Sequence, residues 1–159
     1  MGVDSRKLQA KIAAGERILL DTSTLVAYLG GTESVSPVAT VIIDDYVRAG
    51  RNPGVVSMVT VMELLVRPLQ KSPREFVHVR DFLRQFPNLR AVPVDIDVAI
   101  EAATLRANHG FKPPDALIIG SGLVHQVASI ASNDGAWGAK LAPIAARVMV
   151  ITLSDYLKP

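Results

Sequence analysis

The sequence predicts a three-layer α/β fold, in which a central parallel sheet of about five strands is flanked by helices. Short apolar runs of strand length alternate along the chain with longer segments of helical periodicity, which is the element order of parallel α/β sheets. The runs are apolar throughout, as expected for strands buried on both faces. The length of 159 residues suits a single domain, and the 49% of hydrophobic residues can fill a core on both sides of a sheet.

The elements follow one another in a regular order. The predicted strands are residues 17–20, 55–58, 91–94, Ser129–Ser132 and 148–153. The predicted helices begin after Asp21, begin near Thr60, span residues 73–86, span residues 96–108, and begin at Pro113. Residues 1–16 precede the first strand, so we expect them to form a partly helical N-terminal arm attached to a single domain of residues 17–159.

Composition excludes several classes of protein. There are no cysteines, which rules out disulfides, thiolate metal sites and cysteine nucleophiles. The N-terminus has no apolar stretch of signal-peptide length, and residues 116–133 are too polar for a bilayer span, so we expect a cytoplasmic protein without a membrane contact. The net charge of +2 argues against a uniformly basic nucleic-acid-binding surface, although it permits local patches.

Four acids lie at the ends of apolar runs. Asp21 and Asp134 each follow a predicted strand, while Glu63 and Asp115 lie in the first turns of predicted helices. The carboxyl ends of parallel strands and the starts of the following helices share one edge of the sheet, where ligands bind. Each acid alone also suits a structural role, as a helix cap, a helix-dipole acid or a turn residue.

Together the four acids point to a cation. Two carboxylates about 6 Å apart repel by roughly 2.8 kcal/mol at an effective dielectric constant of 20, so a cluster requires protonation or a bound positive charge. Without cysteine, and with no histidine beside these acids in the sequence, an oxygen-only site favours Mg²⁺ or Mn²⁺. Such an ion suits phosphate chemistry because it activates water and stabilises a phosphoryl transition state.

Four motifs resemble those of one family, over nearly all of residues 17–157. They are I-L-L-D-T-S at 18–23, V-T-V-M-E-L-L at 59–65, P-P-D-A-L-I-I at 113–119 and S-N-D at 132–134. In this order they resemble the PIN-domain ribonucleases, especially the VapC-type toxins of toxin–antitoxin pairs. The resemblance implies a PIN-like fold and a metal-dependent endoribonuclease that leaves a 5′-phosphate.

The resemblance also implies a role for each matching residue. Asp21 and Asp115 would bind the metal directly, Glu63 would bind it or orient the attacking water, and Asp134 would hold a second metal directly or through water. Thr22 or Ser23, together with Ser132, would support the acids through hydrogen bonds. Independently of the family, Arg67 and Lys112 lie near proposed catalytic acids in the sequence and could hold RNA phosphates. We expect Trp137 to pack in the core.

The implied partners are RNA, a small antitoxin whose tail enters the acidic groove, and a second copy of the chain in a homodimer. Three alternatives remain at this stage. A non-toxin RNA-processing PIN nuclease would keep the acids and lack an antitoxin, and a catalytically silent PIN-like domain would only bind. A phosphatase using Asp21 as nucleophile would require a second Asp two residues later, where this chain has Ser23.

Overall fold

The structure is a computed structural model that describes residues 2–159. Its centre is a five-stranded, all-parallel sheet with the strand order β3-β2-β1-β4-β5. The strands are β1 (Ile18–Leu20), β2 (Gly54–Ser57), β3 (Leu89–Val92), β4 (Ser129–Ser132) and β5 (Met149–Thr152). The predicted fold class is therefore confirmed. The strand boundaries differ from the prediction by at most two residues, and those of β4 are as predicted.

Helices cover both faces of this sheet. They are α1 (Ser5–Lys11), α2 (Thr22–Gly30), α3 (Ser36–Thr40), α4 (Met58–Lys71), α5 (Pro73–Gln85), α6 (Ile96–His109), α7 (Pro113–Val124) and α8 (Ala136–Leu141). A π-helical segment, Val41–Arg48, continues from α3, and two short 3-10 turns, Ala142–Ile144 and Leu153–Tyr156, flank β5. Within residues 2–159, no helix combines the length and the apolar character needed to cross a membrane.

The strands supply side chains to two separate cores by simple alternation. Ile18 and Leu20 enter the core formed with α1 to α5, whereas Leu19 enters the core formed with α6 to α8. All three side chains are fully buried. This alternation explains why β1 is apolar at every position, and it places β1 at the centre of the molecule.

The strand order places a crevice at the carboxyl ends of the neighbouring strands β1 and β4. Connections from β1 lead through α2 and α4 toward β2 and β3, and the chain then crosses to β4 on the other side of β1. Neighbouring strands whose connections leave in opposite directions form a crevice at their carboxyl ends. Asp21 follows β1 and Asp134 lies beyond the end of β4, so both lie at this edge.

A glycine allows α7 to approach the centre of the sheet. A Cβ atom at Gly122 would lie 2.8 Å from Leu19 Cδ2 and 3.0 Å from Val127 Cγ2, which is closer than real side chains pack. A larger residue at position 122 would force Leu19 and Val127 to move where α7 passes over β1. This close packing helps to bring the start of α7, with Asp115, to the same edge as Asp21.

The predicted N-terminal arm contains α1 and packs against the rest of the chain. Leu8 and Ile12 are fully buried and belong to the core on the α1 to α5 face. The Asp4 amide donates to the Tyr156 carbonyl at 2.8 Å, and Val3 forms an antiparallel bridge with Leu157. The arm is thus held against the C-terminal segment.

Candidate active site

Asp21 is the most buried acid at the crevice and is held by two hydroxyl groups. Its side chain follows β1 and is only 5% exposed. Ser23 Oγ donates to Asp21 Oδ2 at 2.7 Å, and Ser132 Oγ donates to the same oxygen at 2.8 Å. Within residues 2–159, no other side chain donates to this carboxylate. One oxygen is fixed by hydroxyls, and Oδ1 is left without a side-chain donor.

Burial makes the charged form of Asp21 costly. Desolvation raises the pKa of Asp21 above its ordinary value, and the bonds from Ser23 and Ser132, with the amides of Thr22 and Ser23, offset only part of the rise. A buried carboxylate with a raised pKa in a crevice marks a candidate functional site.

Asp115 lies close enough to two other acids for their charges to raise its pKa. It stands in the first turn of α7 and is half-buried. Burial raises the pKa of Asp115, and the charges of Asp21 and then Asp134 raise it further. The Lys140 ammonium and the Trp137 indole lower it in part. Three of the four acids predicted to form the site therefore interact at this edge of the sheet.

Trp137 borders Asp115 from the core side. The residue is 2% exposed and packs edge-on against Phe111, with ring centroids 6.3 Å apart, as core packing predicts. Its indole Nε1 is buried, and no group in residues 2–159 accepts from it with full hydrogen-bond geometry. The N–H dipole nevertheless lies near enough to Asp115 to favour its charged form.

Asp134 is linked to Asp21 through Ser132. The Asp134 amide donates to Ser132 Oγ at 3.1 Å, while the hydroxyl of Ser132 donates to Asp21. Asp134 Oδ1 accepts from the Ala136 amide at 2.9 Å, so this exposed acid also shapes the turn into α8. Asp134 therefore has the turn role that the pair Asp134-Gly135 suggests. Within residues 2–159, no group donates a hydrogen bond to Asp134 Oδ2.

Glu63 reaches the crevice from α4 and is tied to the residue after Asp21. Thr22 Oγ1 lies 2.8 Å from Glu63 Oε1 and 2.9 Å from Thr60 Oγ1. Thr60 is fully buried, whereas Glu63 is exposed. Thr22 thus contacts Glu63, and the hydroxyls that contact Asp21 are those of Ser23 and Ser132.

The four acids share one edge without forming a ready-made metal centre. Within residues 2–159, no three Asp, Glu or His side chains stand close enough together to enclose an ion as they are. The donor chemistry fits a hard divalent cation, because the ligands are carboxylate oxygens. In the part of the chain that the structure describes, three of these acids have one oxygen held by hydrogen bonds and a second free of side-chain donors: Asp21, Glu63 and Asp134.

The two basic residues predicted to contact RNA are exposed. Arg67 lies one turn after Glu63 on α4, and Lys112 caps the start of α7. In the described part of the chain, neither side chain takes part in a hydrogen bond or an ion pair.

Two residues near the acids were not predicted from the sequence. Thr60 lies three positions before Glu63, so helical spacing places both on one face of α4 and could have indicated the contact. Lys140 lies on α8 with its Nζ 5.1 Å from the centre of the Phe111 ring, and its charge acts on Asp115. Its position depends on α8, which the sequence did not predict.

Comparison with known proteins places the fold in a family. The sequence model described as the PIN domain matches residues 18–140, and no curated protein matches the chain. Similar solved structures include a toxin–antitoxin complex from Klebsiella pneumoniae (20% identity, TM-score 0.64), covering 86% of this chain and 97% of that one. The FitAcB crystal structure from Neisseria gonorrhoeae is similar at 22% identity and TM-score 0.64, covering 86% and 98%.

A third similar structure is VapC20 from Mycobacterium tuberculosis, described as a toxin that cleaves the sarcin–ricin loop. It shares 17% identity and a TM-score of 0.61 over 77% of this chain and 93% of that one. At these identities, the solved structures show only that the fold is shared. The family model of the PIN domain covers well over half of the chain. This chain belongs to the PIN domain family.

Proposed function

We propose that this chain is a metal-dependent endoribonuclease and the toxin of a type II toxin–antitoxin pair. The observation that carries the proposal is the electrostatic coupling of Asp115 to Asp21 and Asp134 at the crevice of a PIN domain. The similarity to VapC20, described as cleaving the sarcin–ricin loop, supports RNA as the substrate.

The acids would hold Mg²⁺, or Mn²⁺ in its place. Asp21 and Asp115 are the proposed direct ligands, with Glu63 and Asp134 as further ligands, directly or through water. When bound, the ion lowers the pKa of a water molecule and stabilises the charge of the phosphoryl transition state. Ser23 and Ser132 hold Asp21 Oδ2 so that its other oxygen can face the crevice. Glu63 would bind the ion or orient the attacking water.

The charge distribution is compatible with RNA. Placing four of the 15 acidic residues in the crevice leaves 11 against 17 Lys and Arg, an excess of six positive charges elsewhere. Lys112, at the start of α7, and Arg67, one turn after Glu63 on α4, are proposed to hold backbone phosphates. Contacts of this kind raise affinity without selecting a base sequence.

Two protein partners are proposed. The Klebsiella structure is a toxin–antitoxin complex, which supports an antitoxin for this chain whose tail enters the acidic groove. Exposed apolar side chains support a homodimer, since Met58, Met62, Val66 and Leu69 form one stripe along α4, between 44% and 64% exposed. A second copy of the chain would cover this stripe.

A catalytically silent binding domain is the second candidate. One observation favours it, because no three acids are assembled into a metal-binding group within residues 2–159. A domain of this kind would bind RNA without cutting it.

The deciding experiment measures cleavage of host RNA by the purified protein with Mg²⁺ or Mn²⁺. We expect the wild type to cut and Asp21→Asn to lose cleavage while its circular dichroism spectrum is unchanged. Asp97→Asn, which removes an exposed acid on α6, is the matched control and should cut normally. Binding without cleavage under both metals would favour the silent domain.

The toxin role needs a separate test in cells. Expression of the chain should arrest growth, and coexpression of a short neighbouring gene for a DNA-binding protein should relieve the arrest. Cleavage in vitro without growth arrest would indicate an RNA-processing nuclease.

A further inference from the structure

A chain of two threonine hydroxyls leads from the interior of the protein to Glu63. It joins Thr60 on α4, Thr22 on α2 and the carboxylate of Glu63, with oxygen separations of 2.9 and 2.8 Å. We propose that Thr60 is a positioning residue that fixes Glu63 through Thr22. The inference rests on the proposed nuclease function, in which Glu63 serves the metal or the attacking water.

Thr22 Oγ1 is placed to donate in both contacts. A threonine hydroxyl has one proton, so the proton of Thr22 is shared between Thr60 Oγ1 and Glu63 Oε1. The contact with Thr60 fixes the rotamer of Thr22. Thr60 thus holds the Thr22 hydroxyl where it also reaches Glu63.

Burial makes Thr60 dependent on this contact. Its side chain is fully buried, so no water can replace Thr22 as its partner. Threonine in a helix commonly bonds to a carbonyl one turn earlier, yet the hydrogen bond found for this hydroxyl is the one to α2. An unpaired buried hydroxyl is costly, and this cost favours the single arrangement in which the chain is complete.

The chain of hydroxyls has a specific effect on Glu63. This side chain is exposed on α4 and has several rotatable bonds, so without a partner it would sample many orientations. The Thr22 bond holds Oε1 and leaves Oε2 directed to other contacts. A carboxylate held in this way needs less ordering when it acts on a metal or a water molecule.

A separate contact holds the start of α4, which isolates the effect of Thr60. Ser57 caps this helix, with the Val59 amide donating to its hydroxyl at 3.2 Å. Ser57 Oγ also lies 3.0 Å from Ser121 Oγ on α7. Because α4 is anchored at Ser57, removal of the Thr60 hydroxyl should release Glu63 without moving the helix.

The test replaces Thr60 with valine, which keeps the shape and removes the hydroxyl. With saturating Mn²⁺, we expect Thr60→Val to lower kcat about 10- to 100-fold, as for residues that orient metal ligands, with the KM for RNA unchanged. Thr60→Ser should restore most of the activity. Ser36→Ala, which removes a buried hydroxyl that donates to the Ala27 carbonyl on α2, should cut as the wild type does.

A double-mutant cycle separates positioning from general structural damage. In a Glu63→Ala background, Thr60→Val should have no further effect on kcat, because its target is absent. An equal loss in both backgrounds, or full activity of Thr60→Val, would overturn the proposal. If Thr60→Val does not fold, the half-buried Thr22→Val interrupts the same chain and takes its place in the cycle.

The metal-free protein provides a readout that does not depend on cleavage. The shifts in melting temperature caused by Thr22→Val and Thr60→Val should sum to more than the shift of the double variant, because both remove the same hydrogen bond. Additive shifts would contradict the contact. An inactive wild type would refute the nuclease proposal, whereas an active wild type with an active Thr60→Val would refute only the role of Thr60.

Discussion

Replacing Ser132 with alanine removes one of the two hydroxyls that hold Asp21. The lost bond is 2.8 Å long and ends on a carboxylate that is 5% exposed, so water cannot easily replace it. Hydrogen bonds to charged groups contribute about 1.5–3 kcal/mol. Ser132→Ala should lower the free energy of unfolding by about this amount. Loss of a hydrogen-bond partner of a metal ligand typically lowers metal affinity 10- to 100-fold, so Ser132→Ala should weaken Mn²⁺ binding by roughly 10- to 100-fold.

The same strand offers a matched control. Ser129 lies three residues earlier on β4 and is 2% exposed, and its buried hydroxyl has no hydrogen-bond partner among the described residues, 2–159. Ser129→Ala makes the same chemical change but removes an unsatisfied group, so it should leave stability equal or higher. Its Mn²⁺ affinity should equal that of the wild type.

Isothermal titration with Mn²⁺ and urea unfolding of the metal-free proteins measure both quantities. Ser132→Ala should lose affinity and stability, and Ser129→Ala should lose neither. The reasoning fails if Ser132→Ala binds Mn²⁺ within twofold of the wild type, or if the two variants lose affinity equally.

Three further predictions concern stability and assembly. Burial raises the pKa of Asp21 in the folded state, so the native protein holds that proton more tightly and loses stability as pH rises above 3.8. With EDTA at pH 7, Asp21→Asn should unfold at a higher urea concentration than the wild type, and the difference between the two midpoints should close toward pH 4. A difference that stays constant with pH would contradict this cause. Leu8→Ala, at a fully buried site, should cost about 3 kcal/mol and lower Tm by roughly 6–12 °C, whereas a shift under 2 °C would show that α1 is not packed in solution. Leu69→Asp, at a position 64% exposed, should convert a homodimer to monomers in light scattering without lowering Tm, and a monomeric wild type would refute the dimer.

Periodicity and strand alternation predicted most of the fold. The apolar run Ile18–Leu20 predicted a strand buried on both faces. In the structure, Ile18 and Leu20 enter the core on one face of the sheet and Leu19 enters the core on the other. β3 was misplaced by two residues because it is an edge strand that contains the exposed Arg90, while Val94 beyond its end is 40% exposed. An apolar run locates central strands better than edge strands.

Two helical regions were not predicted. α8 begins at Ala136, just after Gly135, and includes Gly138, so its composition resembles a turn. Its helical form depends on Trp137 and Leu141 entering the core formed with α6 and α7. The segment from α3 through Arg48 buries one helical face, made of Ile42, Ile43, Tyr46 and Val47, so its apolar spacing could have indicated a helix.

The edge where the acids meet was predictable, and the contacts between their side chains were not. Strand ends and helix starts placed Asp21, Glu63, Asp115 and Asp134 together through topology alone. Which hydroxyl reaches which carboxylate depends on side-chain rotamers, so the sequence could not distinguish Thr22, which contacts Glu63, from Ser23, which contacts Asp21. Nor could spacing predict that, within residues 2–159, no three acids form one metal-binding group.

The most direct test of the central claim is cleavage of an end-labelled RNA by the wild type, first in EDTA and then after addition of Mg²⁺ or Mn²⁺. We predict no cleavage in EDTA, internal cleavage after metal addition, and products with a 5′-phosphate. Asp115→Asn should remain folded and leave the RNA intact under every condition. Cleavage that persists in EDTA, or that Asp115→Asn performs as well as the wild type, would contradict a metal-dependent nuclease at this site.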